Sequence, residues 1–171
     1  VTIEFSDRVE KPRESQAKGG KVSLHVVNEE YIKKLRRAGK NRKHNKVLET
    51  LWKKFRRRYL IVRGGLPKTG KEKLLRPDLI FMDREDASPL EDRDVRCIVE
   101  VETSGGRKSI PGTAVLADHC VRRDRESGKQ MGRCYLFFVI LKNVELARKR
   151  IESLRKRQYF RNIDVRVCTT K

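Results

Sequence analysis

The stretch Cys97-Ile98-Val99-Glu100-Val101-Glu102 decides how this chain is read. Its apolar members mark a β-strand, and side chains alternate across a strand. Glu100 and Glu102 therefore share one face, while Cys97, Val99 and Val101 share the other. Two carboxylates side by side on an otherwise apolar strand repel each other unless a cation or a proton lies between them. Each is also costly to desolvate alone. Upstream, Asp78 follows Pro77 at the start of a second apolar strand that runs to Met82. With the two strands adjacent, Asp78 joins the glutamates in an oxygen-rich site for a hard divalent ion, Mg²⁺ or Mn²⁺. Pairing with the abundant Arg and Lys is the competing account, and for any single acid it prevails. Three acids converging from neighbouring strands favour the metal.

Outward from these strands, the pattern is of one α/β domain over residues 21–171, preceded by an arm. Residues 1–20 mix charge with Pro, Ser and Gly and show no period, which predicts flexibility. Val22, Leu24 and Val26 alternate as a short strand. Asn28 before Glu29 and Glu30 starts a helix that Ala38-Gly39 stops. A second helix begins near Asn41 or Asn45 and runs to about residue 58. Its Val47, Leu48, Leu51, Trp52 and Phe55 form one buried stripe, which makes Trp52 a core residue. A strand over 59–62 follows, and 83–94 is an acidic turn. A glycine loop over 103–108 leads to a helix over 110–123 with Pro111 in its first turn. The continuous apolar run 135–141 predicts a strand buried on both faces. A helix over 144–157 and a strand over 163–167 complete the order.

The charge balance points to a polyanion. The chain has 171 residues, and 43 Lys and Arg against 23 Asp and Glu leave a formal net charge of +20. Between Lys33 and Arg63 stand fourteen basic residues and one acid, Glu49. Surfaces of this kind neutralise phosphates and release condensed counterions. The candidate nucleic-acid contacts are Lys33, Lys34, Arg36, Arg37, Arg42, Lys43 and Lys46. Arg107 and Lys108, on the glycine loop ahead of a helix, could hold a further phosphate. A second basic run starts at Arg148-Lys149-Arg150. The longest apolar stretch is too short to cross a bilayer, and no long apolar face accompanies the basic helices, so a membrane role is excluded. Cys97, Cys120, Cys134 and Cys168 form no CxxC pair, which argues against a zinc ribbon and fits a reduced protein of the cytoplasm or nucleoid.

Pro77-Asp78, twenty-one intervening residues and then Glu100-Val101-Glu102 resemble the motif of the PD-(D/E)XK nuclease superfamily. The helix, three strands, helix and strand between Asn41 and Leu141 are similar to that superfamily's core, so the likeness covers most of the chain. It implies a restriction endonuclease-like fold, a central mixed sheet flanked by helices with a basic N-terminal helical segment. It also implies a metal-dependent endonuclease that hydrolyses DNA, of junction-resolving, repair or restriction type. Asp78 and Glu100 match the metal-binding acids, with the Val101 carbonyl as a further ligand. Glu102 departs from the pattern, standing where the family usually has Lys, although some restriction endonucleases carry Glu there. Glu102 then orients or deprotonates the attacking water or binds a second ion; alternatively Lys108 supplies the missing cation. Glu49 matches an acid that many members carry on the first core helix, and an ion pair with Lys46 or Lys53 explains it equally well. Junction-resolving relatives imply a symmetric homodimer. The alternative function is a non-catalytic nucleic-acid-binding protein on the same fold, with Glu102 marking lost chemistry.

Overall fold

A computed structural model of the protein describes residues 24–39, 41–103 and 109–170. The expected arm over residues 1–20, Val22, Arg107 and Lys108 lie outside the described residues. Ten elements follow one another: β1 (His25–Val26), α1 (Glu29–Arg37), α2 (Arg42–Phe55), β2 (Tyr59–Arg63), β3 (Leu79–Asp83), β4 (Val95–Glu102), α3 (Ser109–Glu126), β5 (Cys134–Ile140), α4 (Val144–Lys156) and β6 (Ile163–Thr169). The six strands form one mixed sheet in sequence order. From β1 to β4 each neighbouring pair is antiparallel, whereas β4–β5 and β5–β6 are parallel. Parallel neighbours need a long crossover, and α3 and α4 provide the two.

The sheet has a core on each side. On one face, Ile80, Ile98, Leu136 and Phe138 pack with Ile110, Ala114 and Ala117 of α3 and Ala147 and Ile151 of α4. On the other, Leu79, Phe81, Val99 and Val101 pack with Ile32 of α1 and Leu48 and Trp52 of α2. The alternation expected along β4 is thus observed. Trp52 is a core residue, as its spacing predicts, and its indole N–H donates to the Val27 carbonyl at 3.0 Å.

Local chemistry sets the ends of the elements that frame the carboxylates. The Asn28 side chain accepts from the Tyr31 N–H at 2.9 Å and caps α1. Glu29 and Glu30 occupy its first turn and Lys34, Arg36 and Arg37 its last, each sign at the favourable pole of the helix. The segment between β2 and β3 is tied down by buried Asp124 of α3, which accepts from the Lys68 N–H (2.9 Å) and the Thr69 N–H and hydroxyl (both 3.0 Å). That tie anchors the connection eight residues ahead of Pro77. At the other end, Gln130 accepts from the Val95 N–H at 2.7 Å and donates to the Val95 carbonyl at 3.0 Å, setting the entry to β4.

Helix α2 ends at Phe55 instead of near 58 and β6 runs on to Thr169, and three further features depart from the sequence-based expectation. Strand β4 starts at Val95, two residues before Cys97, because a bulge opposite Phe81 and Met82 takes up Arg96. Arg96 then turns outward to Asp83, with Nε 2.8 Å from the carboxylate. Helix α3 runs on to Glu126, beyond the expected stop near 123. Finally, β5 is not buried on both faces. Leu136, Phe138 and Ile140 are sealed beneath α3 and α4, but Tyr135 and Phe137 on the α2 side are only half-buried. Helices α1 and α2 pack mainly over the β2–β4 part of their face, which leaves this part of β5 open.

Candidate active site

Asp78 stands one residue ahead of β3, where Leu79 pairs with Val99 of β4. Its Oδ2 accepts the Val101 N–H at 2.8 Å. That bond draws the aspartate across to the C-terminal end of β4, beside Glu100 and Glu102. The three acids expected to converge are therefore brought together. Glu100 is 8 % exposed, the only buried carboxylate here. Burial pushes its carboxyl well above the usual range, and the charges of Asp78 and then Glu102 push it further, against a main-chain hydrogen bond from Asp78. Glu102 is half-buried, and its carboxyl is raised first by burial and also by Asp78. The hydroxyl of Ser109, at the start of α3, and His44 pull it back.

His44, in the first turn of α2, completes the cluster. Its Nε2 lies 3.1 Å from Asp78 Oδ1, and its Nδ1 lies 3.2 Å from Asn45 Oδ1. The Asn45 amide is oriented by its Nδ2, which donates to the Leu35 carbonyl at 3.0 Å. Both ring nitrogens therefore face acceptors, an arrangement that suits the imidazolium. Burial opposes that charge, but the hydrogen bond and charge of Asp78 outweigh it, with help from Asn45 and Glu102, and the His44 pKa is raised. Both Asp78 oxygens are thus held, one by a main-chain N–H and one by the His44 ring.

Glu49 is engaged elsewhere. It accepts two hydrogen bonds from the Arg36 guanidinium, at 2.9 and 2.5 Å, and pairs with Lys53 at 2.6 Å. Those bonds hold its carboxyl at about 2. Of the two accounts of Glu49, the structure displays the ion pair: Lys53 is the partner expected, and Arg36 is one that sequence spacing does not reveal. Two of the basic residues taken as nucleic-acid contacts are thereby partnered, Arg36 with Glu49 and Lys34 with Glu30 at 3.2 Å. Lys33, Arg37, Arg42, Lys43 and Lys46 are exposed. Four of the acids from 83 to 94, Asp83, Asp86, Asp92 and Asp94, hold neighbouring groups. Asp83 holds Arg96, and Asp94 accepts the Met131 and Gly132 N–H groups at 2.7 and 2.6 Å.

The donor set of Asp78, Glu100 and Glu102 is anionic and all oxygen, which fits Mg²⁺ or Mn²⁺ and not a soft metal. Among the described residues, however, no group of three or more His, Cys, Asp or Glu side chains is placed to hold a metal ion as the side chains stand. No described helix is long and apolar enough to cross a membrane. The chain matches no protein-family model, no curated protein and no solved structure.

His44 is the member of the cluster that sequence reading misses. Its only signal is its place in the first turn of the helix that precedes the site strands, between Lys43 and Asn45. Replacing it with alanine frees one oxygen of Asp78. Losing a group that orients a ligand typically costs about 10–100-fold. His44→Ala is expected to cost any reaction that depends on an oriented Asp78 that factor, with His44→Asn recovering part of it, as read in single-turnover assays.

Proposed function

We propose that this protein is a metal-dependent endonuclease with a restriction endonuclease-like fold, cutting DNA phosphodiester bonds. The observation that carries this reading is the convergence of Asp78, Glu100 and Glu102 where β3 meets β4, with Glu100 buried beside two like charges. A protein gains nothing in stability from that arrangement, so a ligand that needs it is the physical explanation. The element order from α2 to β5, with three antiparallel strands followed by a parallel one, supports the fold. The excess of basic residues around α1 and α2 supports a polyanionic substrate.

In this reading Asp78 and Glu100 hold Mg²⁺ or Mn²⁺, with the Val101 carbonyl as a further ligand. When bound, the ion neutralises the scissile phosphate, lowers the pKa of a water and stabilises the leaving oxygen. The protein's own groups do the rest. The Val101 N–H and His44 fix the orientation of Asp78. Glu102, whose proton affinity is raised, takes the proton of the attacking water. His44, whose pKa is raised by Asp78 against the effect of burial, stands beside the acids at a site where position 102 carries no lysine. Exposed cations such as Arg42, Lys43 and Lys46 position the backbone of the DNA without reading its sequence.

The test is incubation with labelled linear duplex, single-stranded, flapped and four-way-junction DNA in Mg²⁺, Mn²⁺ or EDTA. Cutting is expected only with a divalent ion, and the preferred substrate assigns the enzyme to a restriction, repair or junction-resolving type. Tight binding with no cutting in either metal overturns the enzyme and leaves the nucleic-acid-binding protein.

A further inference from the structure

The open part of β5 is one wall of a groove of about 1170 Å³ on the sheet face opposite the glutamates. We infer that this groove is a stacking platform for the bases of a single-stranded nucleic acid. This inference rests on the nucleic-acid reading above and names the kind of substrate that reading leaves open.

Two sets of rings face the groove. On the sheet, Tyr135 and Phe137 lie with centroids 6.1 Å apart, both half-buried. On the α2 side, Phe55, Tyr59 and Phe81 form a tilted cluster with centroids 5.7–6.4 Å apart. Between them the floor is apolar, made of Cys97, Val99 and Val139. The rim is cationic, carrying Lys43, Lys46 and Lys54 from α2 and Arg133 and Lys142 from the two ends of β5. Arg133 pairs with Asp164 at 2.6 Å and lies 5.6 Å over the Tyr135 ring, and Lys54 lies 5.5 Å over Phe55, so a stacked base displaces these cations toward its phosphates. Asp83 is the one acid lining the groove, and Arg96 engages it.

Aromatic faces on a sheet, bordered by cations, match a single strand, whose bases stack while its phosphates follow the charge. A duplex hides its bases and cannot use such a floor. Charge decides against the other obvious occupant, a second copy of the chain. A symmetric pairing through the groove would set two rims of the same sign against each other.

The groove and the candidate active site meet at the start of α2. Lys43 and Lys46 lie on either side of His44, whose ring contacts Asp78, so one turn of α2 borders both places. A strand seated on Tyr135 and Phe137 is led past that turn toward the carboxylates. The favoured substrate is therefore DNA with an unpaired segment next to the cut.

The test is fluorescence anisotropy in EDTA, with fluorescein-labelled oligo(dT) and a duplex of equal length. It compares the wild type with Tyr135→Leu/Phe137→Leu, which keeps apolar packing and removes stacking. Stacking on one aromatic ring is worth about fivefold to a hundredfold in affinity. The double variant should lose at least about fivefold for oligo(dT) by that measure and keep its duplex affinity. Photo-cross-linking of a 5-iodouracil oligonucleotide to the wild type should map to Tyr135 or Phe137. Unchanged oligo(dT) affinity, or cross-links confined to other surfaces, overturns the inference. So does a wild-type dimer in sedimentation that the double variant dissociates, because a second copy then fills the groove. None of these readouts involves cleavage. Loss of stacking with no cutting leaves the platform standing without the nuclease, and metal-dependent cutting with unchanged oligo(dT) binding does the reverse.

Discussion

Glu100→Gln is expected to make the metal-free protein more stable and, on the proposed function, to abolish cleavage of DNA. Glu100 is buried next to Asp78 and Glu102, so its ionised form is penalised by desolvation and by two like charges. Glutamine keeps the shape and removes the charge. A gain of about 1–2 kcal/mol is reasonable for relieving a buried charge, and it corresponds to a melting temperature higher by roughly 2–8 °C in a chain of this size. The sign of the pH dependence follows from the raised carboxyl. Below the ordinary unfolded-state value, about 4.3, folded and unfolded chains both hold the proton and nothing is lost. As pH rises from there through the higher folded-state value, the wild type loses stability and the variant does not. The difference between their melting temperatures in EDTA should therefore widen with pH. Mn²⁺ should stabilise the wild type and leave the variant unmoved. A variant that is less stable than wild type at neutral pH would contradict this account of Glu100.

Glu102→Gln should separate chemistry from metal binding. Burial and Asp78 raise the proton affinity of this carboxyl, while Ser109 and His44 limit the rise. A raised proton affinity suits a group that takes a proton from water. Removing a general base costs typically about 10²–10⁴-fold. Cleavage by Glu102→Gln should fall within that range, while the Mn²⁺-induced rise in melting temperature survives. In the wild type the rate should climb with pH through the raised carboxyl value and then level off, and in the variant this limb should vanish. Loss of the Mn²⁺ response together with cleavage would instead make Glu102 a metal ligand.

The sequence carries most of the fold because its signals are local. The alternation in Ile98-Val99-Glu100-Val101-Glu102 states which residues share a face, and the two cores obey it. The stripe through Leu48 and Trp52 and the cap at Asn28 are read equally directly. What escapes the sequence depends on contacts between distant residues. The start of β4 is set by a bulge against β3 and by Gln130, thirty-five residues on. Arg36 reaches Glu49 only because α1 and α2 pack together. The apolar run in β5 reads as a strand covered on both faces, since sequence alone does not say how far α2 extends across the sheet. His44 is hidden for the same reason: its bond to Asp78 spans thirty-four residues and no periodicity announces it.

The central claim is that Asp78 anchors a divalent ion that cuts DNA, and one comparison tests it most directly. Wild type and Asp78→Ala, checked for equal folding by circular dichroism, are given the best labelled substrate with Mn²⁺ and with EDTA. Charge stabilisation by such an ion is worth several kcal/mol, or about 10³-fold in rate. The account predicts cutting by the wild type in Mn²⁺ alone, and a rate lower by about that factor in the variant, with DNA binding retained. Cutting by the wild type in EDTA, or equal cutting by the two proteins, would contradict it.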